Sequence, residues 1–233
     1  MYRSVLGGEV REKPVQRGYR VPQRKTERLR GSMQPFRKHT GKVAPLYRAN
    51  IDTDQIIPKQ FLKRIERTGF GEFLFNDWRC SASGDPDPGF VLNQPQYAGA
   101  SILVAGKNFG CGSSREHAVW ALADYGFRAV IASTFADIFA NNCVKNGVLT
   151  VALSADQAAE IARKASETPN YQLTIDLESC TVGDDQGLSA TFQLDEFTRH
   201  CLLEGLDDIG LTLKHEPEIT AYESRHPVAT KIM

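Results

Sequence analysis

Residues 100–125, ASILVAGKNFGCGSSREHAVWALADY, read as one unit: a strand, a glycine turn and a helix. Ala100 to Ala105 is a short, apolar, partly β-branched run bounded by Gly99 and Gly106, which predicts a buried strand. Beyond the turn, Ala118, Val119, Ala121, Leu122 and Tyr125 recur at helical spacing until Gly126 supplies a stop. Between them, Lys107 to His117 carry two serines and an arginine onto the start of that helix.

Ser113 and Glu116 have the spacing of a capping box, in which a serine hydroxyl and a glutamate each satisfy a backbone N–H. A cap does not account for Ser114, Arg115 or the two glycines that let backbone N–H groups turn toward one point. Free N–H groups at a helix N-terminus bind carboxylate or phosphate, and an adjacent guanidinium adds a bidentate clamp. The turn therefore predicts an anion site. A serine about 4 Å from one cation, at an effective dielectric near 20, gains roughly 4 kcal/mol in its ionised form, so Ser113 can serve as a base. No G-x-S-x-G elbow occurs, and His117 reads as a packed or surface histidine rather than a triad partner. Nor does a Gly-Lys-Ser/Thr ending make this a phosphate-binding P-loop.

From Met33 onward the chain reads as mixed α/β without internal repeats. Strands are expected at 42–46, 100–105, 128–132 and 148–153, with an antiparallel pair formed by 172–177 and 190–194 around the Gly183–Gly187 turn. Helices are expected at 58–65, 114–125, 135–145, 154–166, 197–203 and 217–225, the fourth capped by Ser154 and Gln157. Lys63 to Tyr97 is rich in glycine, proline and aromatics. It suits either a mobile lid or partner interface, or an excursion pinned to the core by Phe70, Phe73, Phe75 and Trp78.

The five cysteines, Cys80, Cys111, Cys143, Cys180 and Cys201, lie 20–40 residues apart with no C-x-x-C pair, unlike the clustered thiolates of iron–sulfur or zinc sites. An odd number of dispersed cysteines and no secretory segment point to reduced thiols in the cytoplasm. With 41% hydrophobic and 24% charged residues in 233, the chain can bury one core, and no 18-residue apolar run is present to span a membrane. Lys/Arg and Asp/Glu balance at 28 each, yet residues 1–32 hold nine of the basic and three of the acidic ones, so net +6 sits against net −6 in the remainder. This basic, pattern-free stretch is expected to be disordered. It lacks the interleaved aromatics of a nucleic-acid binder. It is read as an extension from a misplaced start site, which intact-mass analysis of the native gene product would test.

Asp52-Thr53-Asp54 offers two carboxylates that could share a cation, but Asn and Asp also favour turns by bonding their own backbone, and the turn is the stronger expectation.

Four stretches together resemble a known family: Asn108 to His117, Asn50 to Leu62, Phe75-Asn76-Asp77-Trp78-Arg79, and Ala140 to Gly147. The first is similar to the signature of the swivelling domain of the aconitase superfamily. All four, in order, resemble the small subunits of bacterial-type 3-isopropylmalate dehydratases over about residues 33–226. The resemblance implies an α/β swivelling-domain fold, a mixed sheet with flanking helices in β/β/α layers. It implies that Ser113 is the base that removes a proton from carbon. Ser114 and Arg115, with Gly112 and Cys111 of the same turn, would bind a substrate carboxylate, and Asn50, Asp52, Thr53 and Asp54 would shape the site. A [4Fe-4S] cluster acting as Lewis acid would belong to a separate large subunit, leaving no metal or cofactor on this chain. Substrates would be small dicarboxylates, with homoaconitate- or methylmalate-type molecules as alternatives to isopropylmalate. Arg48 does not match the register of the superfamily's nearby substrate arginine. The apolar contact for a branched substituent is expected in the 63–97 stretch, and Arg115, free to grip substrate, is expected to add little to stability. A different class, a non-enzymatic anion-binding module on the same turn, would show no activity when mixed with a large subunit.

Overall fold

The computed structural model describes residues 33–226 apart from Ile65 and Arg67; the expectation for residues 1–32 lies outside the described residues. One strand organises the sheet. The C-terminal half of β1 (Lys38–Leu46) runs parallel to β2 (Ile102–Ala105), with Val43 opposite Ile102 and Leu46 opposite Ala105. Its N-terminal half is antiparallel to β5 (Gln172–Asp176), with Lys38 opposite Asp176. Beyond β2 lie β3 (Ala129–Ala132) and β4 (Leu149–Ala152), both parallel; beyond β5 lie β6 (Thr181–Gly183) and β7 (Ser189–Thr191), both antiparallel. The result is a seven-stranded mixed sheet in the order β4-β3-β2-β1-β5-β6-β7. At the changeover sits Gly41, where an added Cβ would fall 2.0 Å from Ser101 Oγ.

In chain order the helices are α1 (Thr53–Ile56), α2 (Asn76–Arg79), α3 (Glu116–Tyr125), α4 (Asp137–Lys145), α5 (Ala155–Glu167), α6 (Glu196–Glu204), α7 (Asp208–Leu213) and α8 (Glu216–Arg225). Every residue of β2 and β3 is buried, as parallel strands covered on both faces must be. Leu103, Ala105, Val130 and Ala132 point to one face, packed with α3 and α4; Ile102, Val104, Ala129 and Ile131 point to the other, packed with α5 and α6. The period-2 alternation of a strand thus divides the protein into two hydrophobic clusters. No helix among the described residues is long and apolar enough to cross a membrane.

The mixed sheet with flanking helices agrees with the sequence reading, and several boundaries do not. The first strand begins at Lys38 rather than Lys42, because its polar first half pairs with β5 and not with the apolar core strands. The 172–177 strand pairs with β6 (Thr181–Gly183), and β6 with β7, so the expected direct pairing with 190–194 is replaced by a meander. Pro58 does not open an α-helix: α1 precedes it and a 3-10 turn follows at Lys59–Lys63. Helix α7, capped by Asp207 on the Gly210 N–H, escaped the sequence reading. The stretch 63–97 is pinned to the core: Phe70, Leu74 and Phe75 are fully buried, and the 3-10 turn at Phe70–Phe73 packs against α3. Gly71 permits that contact, since a Cβ there would lie 2.6 Å from the Tyr125 backbone nitrogen.

Candidate active site

The turn after β2 is held open by left-handed backbone at Asn108 (φ 59°), Gly110 (φ 76°) and Gly112 (φ 89°). Gly110 is required twice over, because a Cβ there would fall 2.1 Å from the Phe139 ring. The turn lies at the C-terminal edge of the parallel strands, where open α/β sheets place ligands. Its outer side is secured to the β3–α4 connection: Phe109 N–H donates to Thr134 O and Ala136 N–H to Phe109 O, each at 3.0 Å.

Residues 50–54 grip the inner side. Gly110 N–H donates to Ile51 O at 2.8 Å and Thr53 N–H to Cys111 O at 2.9 Å. Thr53 Oγ1 donates to the Ser113 carbonyl at 2.8 Å, and Asn108 Nδ2 to Asn50 Oδ1 at 2.9 Å. Asp52 caps α1, accepting from Gln55 N–H at 2.7 Å while the Gln55 side chain accepts from Asp52 N–H. Asp54 takes the Arg115 guanidinium end-on, with Nη1 on Oδ1 and Nη2 at 2.9 Å on Oδ2. The two carboxylates therefore serve different partners: Asp52 bonds its own local backbone, as the turn reading expected, and Asp54 pairs with Arg115.

A cavity of about 220 Å³ opens here, lined by Thr53, Gly110, Gly112, Ser113, Ser114, Arg115 and the Ala136–Phe139 segment. Two helix N-termini face it, α3 and α4, and neither carries a side-chain cap, so first-turn N–H groups and positive dipole ends address the same volume. Asp137 in the first turn of α4 offsets part of that field. Ser113 and Ser114 are exposed, and neither hydroxyl is committed to a partner among the described residues. The Arg115 side chain is only 10% exposed, while Asp54 is 39% exposed with Lys59 Nζ 4.0 Å from it. Burial and the Asp52 charge push the Cys111 thiol up, keeping it protonated.

Of the residues singled out in sequence, Gly112, Ser113, Ser114, Arg115 and Thr53 line the cavity. Cys111, Asn50, Asp52 and Asp54 brace it from behind. One expectation is corrected. The Ser113–Glu116 capping box does not form: α3 starts at Glu116 behind Arg115, and the Glu116 carboxylate instead accepts from Trp120 Nε1 at 3.2 Å and Asn146 Nδ2 at 3.1 Å. The Arg115 guanidinium is paired with Asp54, 61 residues away in sequence. Of the 63–97 aromatics, Phe70, Phe75, Phe90 and Tyr97 are buried and Phe73 and Trp78 pack against the core partly exposed, while the apolar wall of the cavity comes from Ala136, Ile138 and Phe139. Ile138, 54% exposed at the mouth, was missed; its signal was its place at the start of the helix following a core strand. His117 packs against Phe70 and Trp120 with its pKa lowered by burial, as a packed histidine should. Arg48 lies over the Trp78 ring at 4.9 Å and does not line the cavity.

Residues 33–156 match the Aconitase C-terminal domain family, residues 159–196 the LeuD_N family, and residues 208–230 the C-terminal domain of the 3-isopropylmalate dehydratase small subunit. The chain is 64% identical to a 3-isopropylmalate dehydratase small subunit of Koribacter versatilis over 194 residues, 83% of this chain and 100% of that one. It is 61% identical to the same protein of Brevibacillus brevis over 193 residues, 83% and 100% of the two chains. The crystal structure of a 3-isopropylmalate dehydratase from Methanocaldococcus jannaschii shares the fold, with TM-score 0.59 at 24% identity, covering 79% of this chain and 99% of that one.

Proposed function

The chain belongs to the family of 3-isopropylmalate dehydratase small subunits, and on that premise we propose that it completes, with a large subunit, the site interconverting 2-isopropylmalate and 3-isopropylmalate in leucine biosynthesis. The chemistry is that of a hydro-lyase: water is removed to give an alkene and added back at the neighbouring carbon. The observation that carries the assignment is the convergence of Ser113, Ser114 and Arg115 on one cavity at an uncapped helix end.

Ser113 takes the proton from the substrate carbon and returns it on rehydration. Its hydroxyl has no hydrogen-bond partner among the described residues, and the positive end of the α3 dipole favours the ionised form. Arg115 holds a substrate carboxylate. Asp54 uses one N–H from each terminal nitrogen, which leaves the Nε–H and the second N–H of each for another carboxylate. Ser114, with the Cys111–Gly112 backbone, completes that grip. The apolar wall of Ala136, Ile138 and Phe139 suits a branched alkyl substituent, and this favours isopropylmalate over homologues with a polar one.

Among the described residues no group of three or more His, Cys, Asp or Glu is placed to hold a metal ion, and the dispersed cysteines there offer no ligand set for a [4Fe-4S] cluster. The cluster is assigned to the large subunit, in the cytoplasm. Mixing the purified chain with a cluster-bearing large subunit tests the reading: isomerase activity should appear only in the mixture and vanish with Ser113→Ala. An inactive mixture would favour the anion-binding module instead.

A further inference from the structure

We propose that Thr53 is the positioning residue for Ser113, and that its hydroxyl, rather than its bulk, sets the orientation of the base. The inference rests on the assignment of Ser113 as base. Thr53 is buried, 2% exposed, yet it borders the cavity. Both its hydrogen-bond donors are aimed at the same turn: its N–H donates to the Cys111 carbonyl at 2.9 Å and its Oγ1 to the Ser113 carbonyl at 2.8 Å. In a trans peptide the C=O and the following N–H point in opposite directions. Fixing those two carbonyls therefore fixes the Cys111–Gly112 and Ser113–Ser114 peptide planes, which bracket the Gly112–Ser113 pair, with the Gly112 and Ser114 N–H groups pointing away from Thr53.

The turn needs such an anchor. Gly112 at φ 89° has wide conformational freedom, and a Cβ there would come 3.6 Å from Thr53 Oγ1 and 3.4 Å from Asp52 Cβ, so the two segments pack at contact distance. Ser113 has no capping bond to fix its own backbone. Thr53 is itself rigid: its N–H and C=O are both used, the carbonyl accepting from Ile57 N–H at 3.0 Å, and its β-branched side chain has few rotamers.

The test compares Thr53→Val, Thr53→Ser and Thr53→Ala in complex with the large subunit. Val keeps the shape and loses the hydroxyl, Ser keeps the hydroxyl and loses the methyl, and Ala loses both. Positioning predicts a kcat at least tenfold lower for Val and Ala, with KM within about threefold of wild type, unchanged large-subunit affinity, and Ser within threefold of wild type in kcat. Val at wild-type kcat, or Ser as impaired as Val, overturns the proposal. So does failure of both Val and Ala to assemble while Ser assembles, since the hydroxyl would then serve folding. A Ser113→Ala complex that still turns over would sink the base assignment itself; an inactive Ser113→Ala beside a fully active Thr53→Val sinks only this inference.

Discussion

Replacing Arg115 with lysine keeps a charge in place and removes a geometry. The guanidinium meets Asp54 end-on through both terminal nitrogens and retains three N–H groups, enough to hold a second carboxylate along its other edge. An ammonium has three donors on one atom and cannot grip two carboxylates in parallel pairs. Losing one charge-assisted hydrogen bond to substrate costs about 1.5–3 kcal/mol, or about a 10- to 150-fold fall in kcat/KM. Stability should fall too, because the arginine side chain is 10% exposed. Its partner Asp54 is more than a third open to solvent, which screens the pair, so the loss should stay near 1 kcal/mol, about 2–4 °C in Tm for a protein of this size. Steady-state kinetics with saturating large subunit, alongside thermal melts of the chain, separate the two effects. If Arg115→Lys melts several degrees lower yet keeps kcat/KM within about threefold, well under 1 kcal/mol, the residue is an Asp54 strut and the carboxylate clamp is wrong.

Ser113→Ala should abolish turnover while leaving Tm and large-subunit binding unchanged, within about 0.5 kcal/mol, because the hydroxyl caps nothing in the fold; near-normal kcat would remove Ser113 as base. The chain purified alone, under anaerobic conditions, should contain neither stoichiometric iron nor acid-labile sulfide, and colorimetric iron near one equivalent would overturn the two-subunit division. Asp184→Asn should cost about 3 kcal/mol by urea unfolding at pH 7. The wild-type side chain is fully buried, bonded to Lys164 Nζ at 2.8 Å and Tyr171 Oη at 2.7 Å. Burial raises that carboxyl's pKa, but the Lys164 and Tyr171 bonds and the Leu188 and Gln186 N–H groups outweigh it and hold it well below the usual carboxylate range. Its contribution is therefore present above the unfolded value near 4 and lost as pH falls through the folded one, so the gap between wild type and Asp184→Asn should narrow below about pH 4. A gap that widens in acid would refute the assignment.

What could be read from sequence was local. The β2–turn–α3 unit, the Ser154–Gln157 capping box and the apolar strands each announce themselves within a dozen residues, and all appear where expected. What could not be read depends on partners far along the chain. The polar start of β1 looks like loop until β5, about 130 residues later, supplies its hydrogen bonds. Ser113 and Glu116 obey the capping spacing, yet tertiary contacts win: Thr53 holds the Ser113 carbonyl, and Trp120 and Asn146 take the Glu116 carboxylate. The same blindness hid the pairing of Arg115 with Asp54, 61 residues apart.

These long-range contacts also explain why the site takes the form it does. A turn built from Gly110, Cys111 and Gly112 is flexible enough to let backbone approach a ligand, and for that reason cannot by itself present a base within the few tenths of an ångström that proton transfer requires. Rigidity has to come from elsewhere. It comes from a segment distant in sequence and close in space: Ile51 and Thr53 tie the backbone of the turn, and Asp54 ties its arginine. Asn50-Ile51-Asp52-Thr53-Asp54 is thus the frame for Gly110 to Arg115, and the proposed base and the proposed clamp are braced by adjacent residues, Thr53 and Asp54. A loss at either brace should then appear in different parameters. If Ser113 is the base and Arg115 the clamp, Thr53 should move kcat, and Asp54 should move kcat/KM more than kcat, because a clamp would hold substrate in the ground state as well as the transition state. Asp54→Asn, which keeps an acceptor for one guanidinium nitrogen, should fall between wild type and Asp54→Ala in kcat/KM. Equal effects of Thr53→Val and Asp54→Ala on kcat alone would show a single shared constraint rather than two.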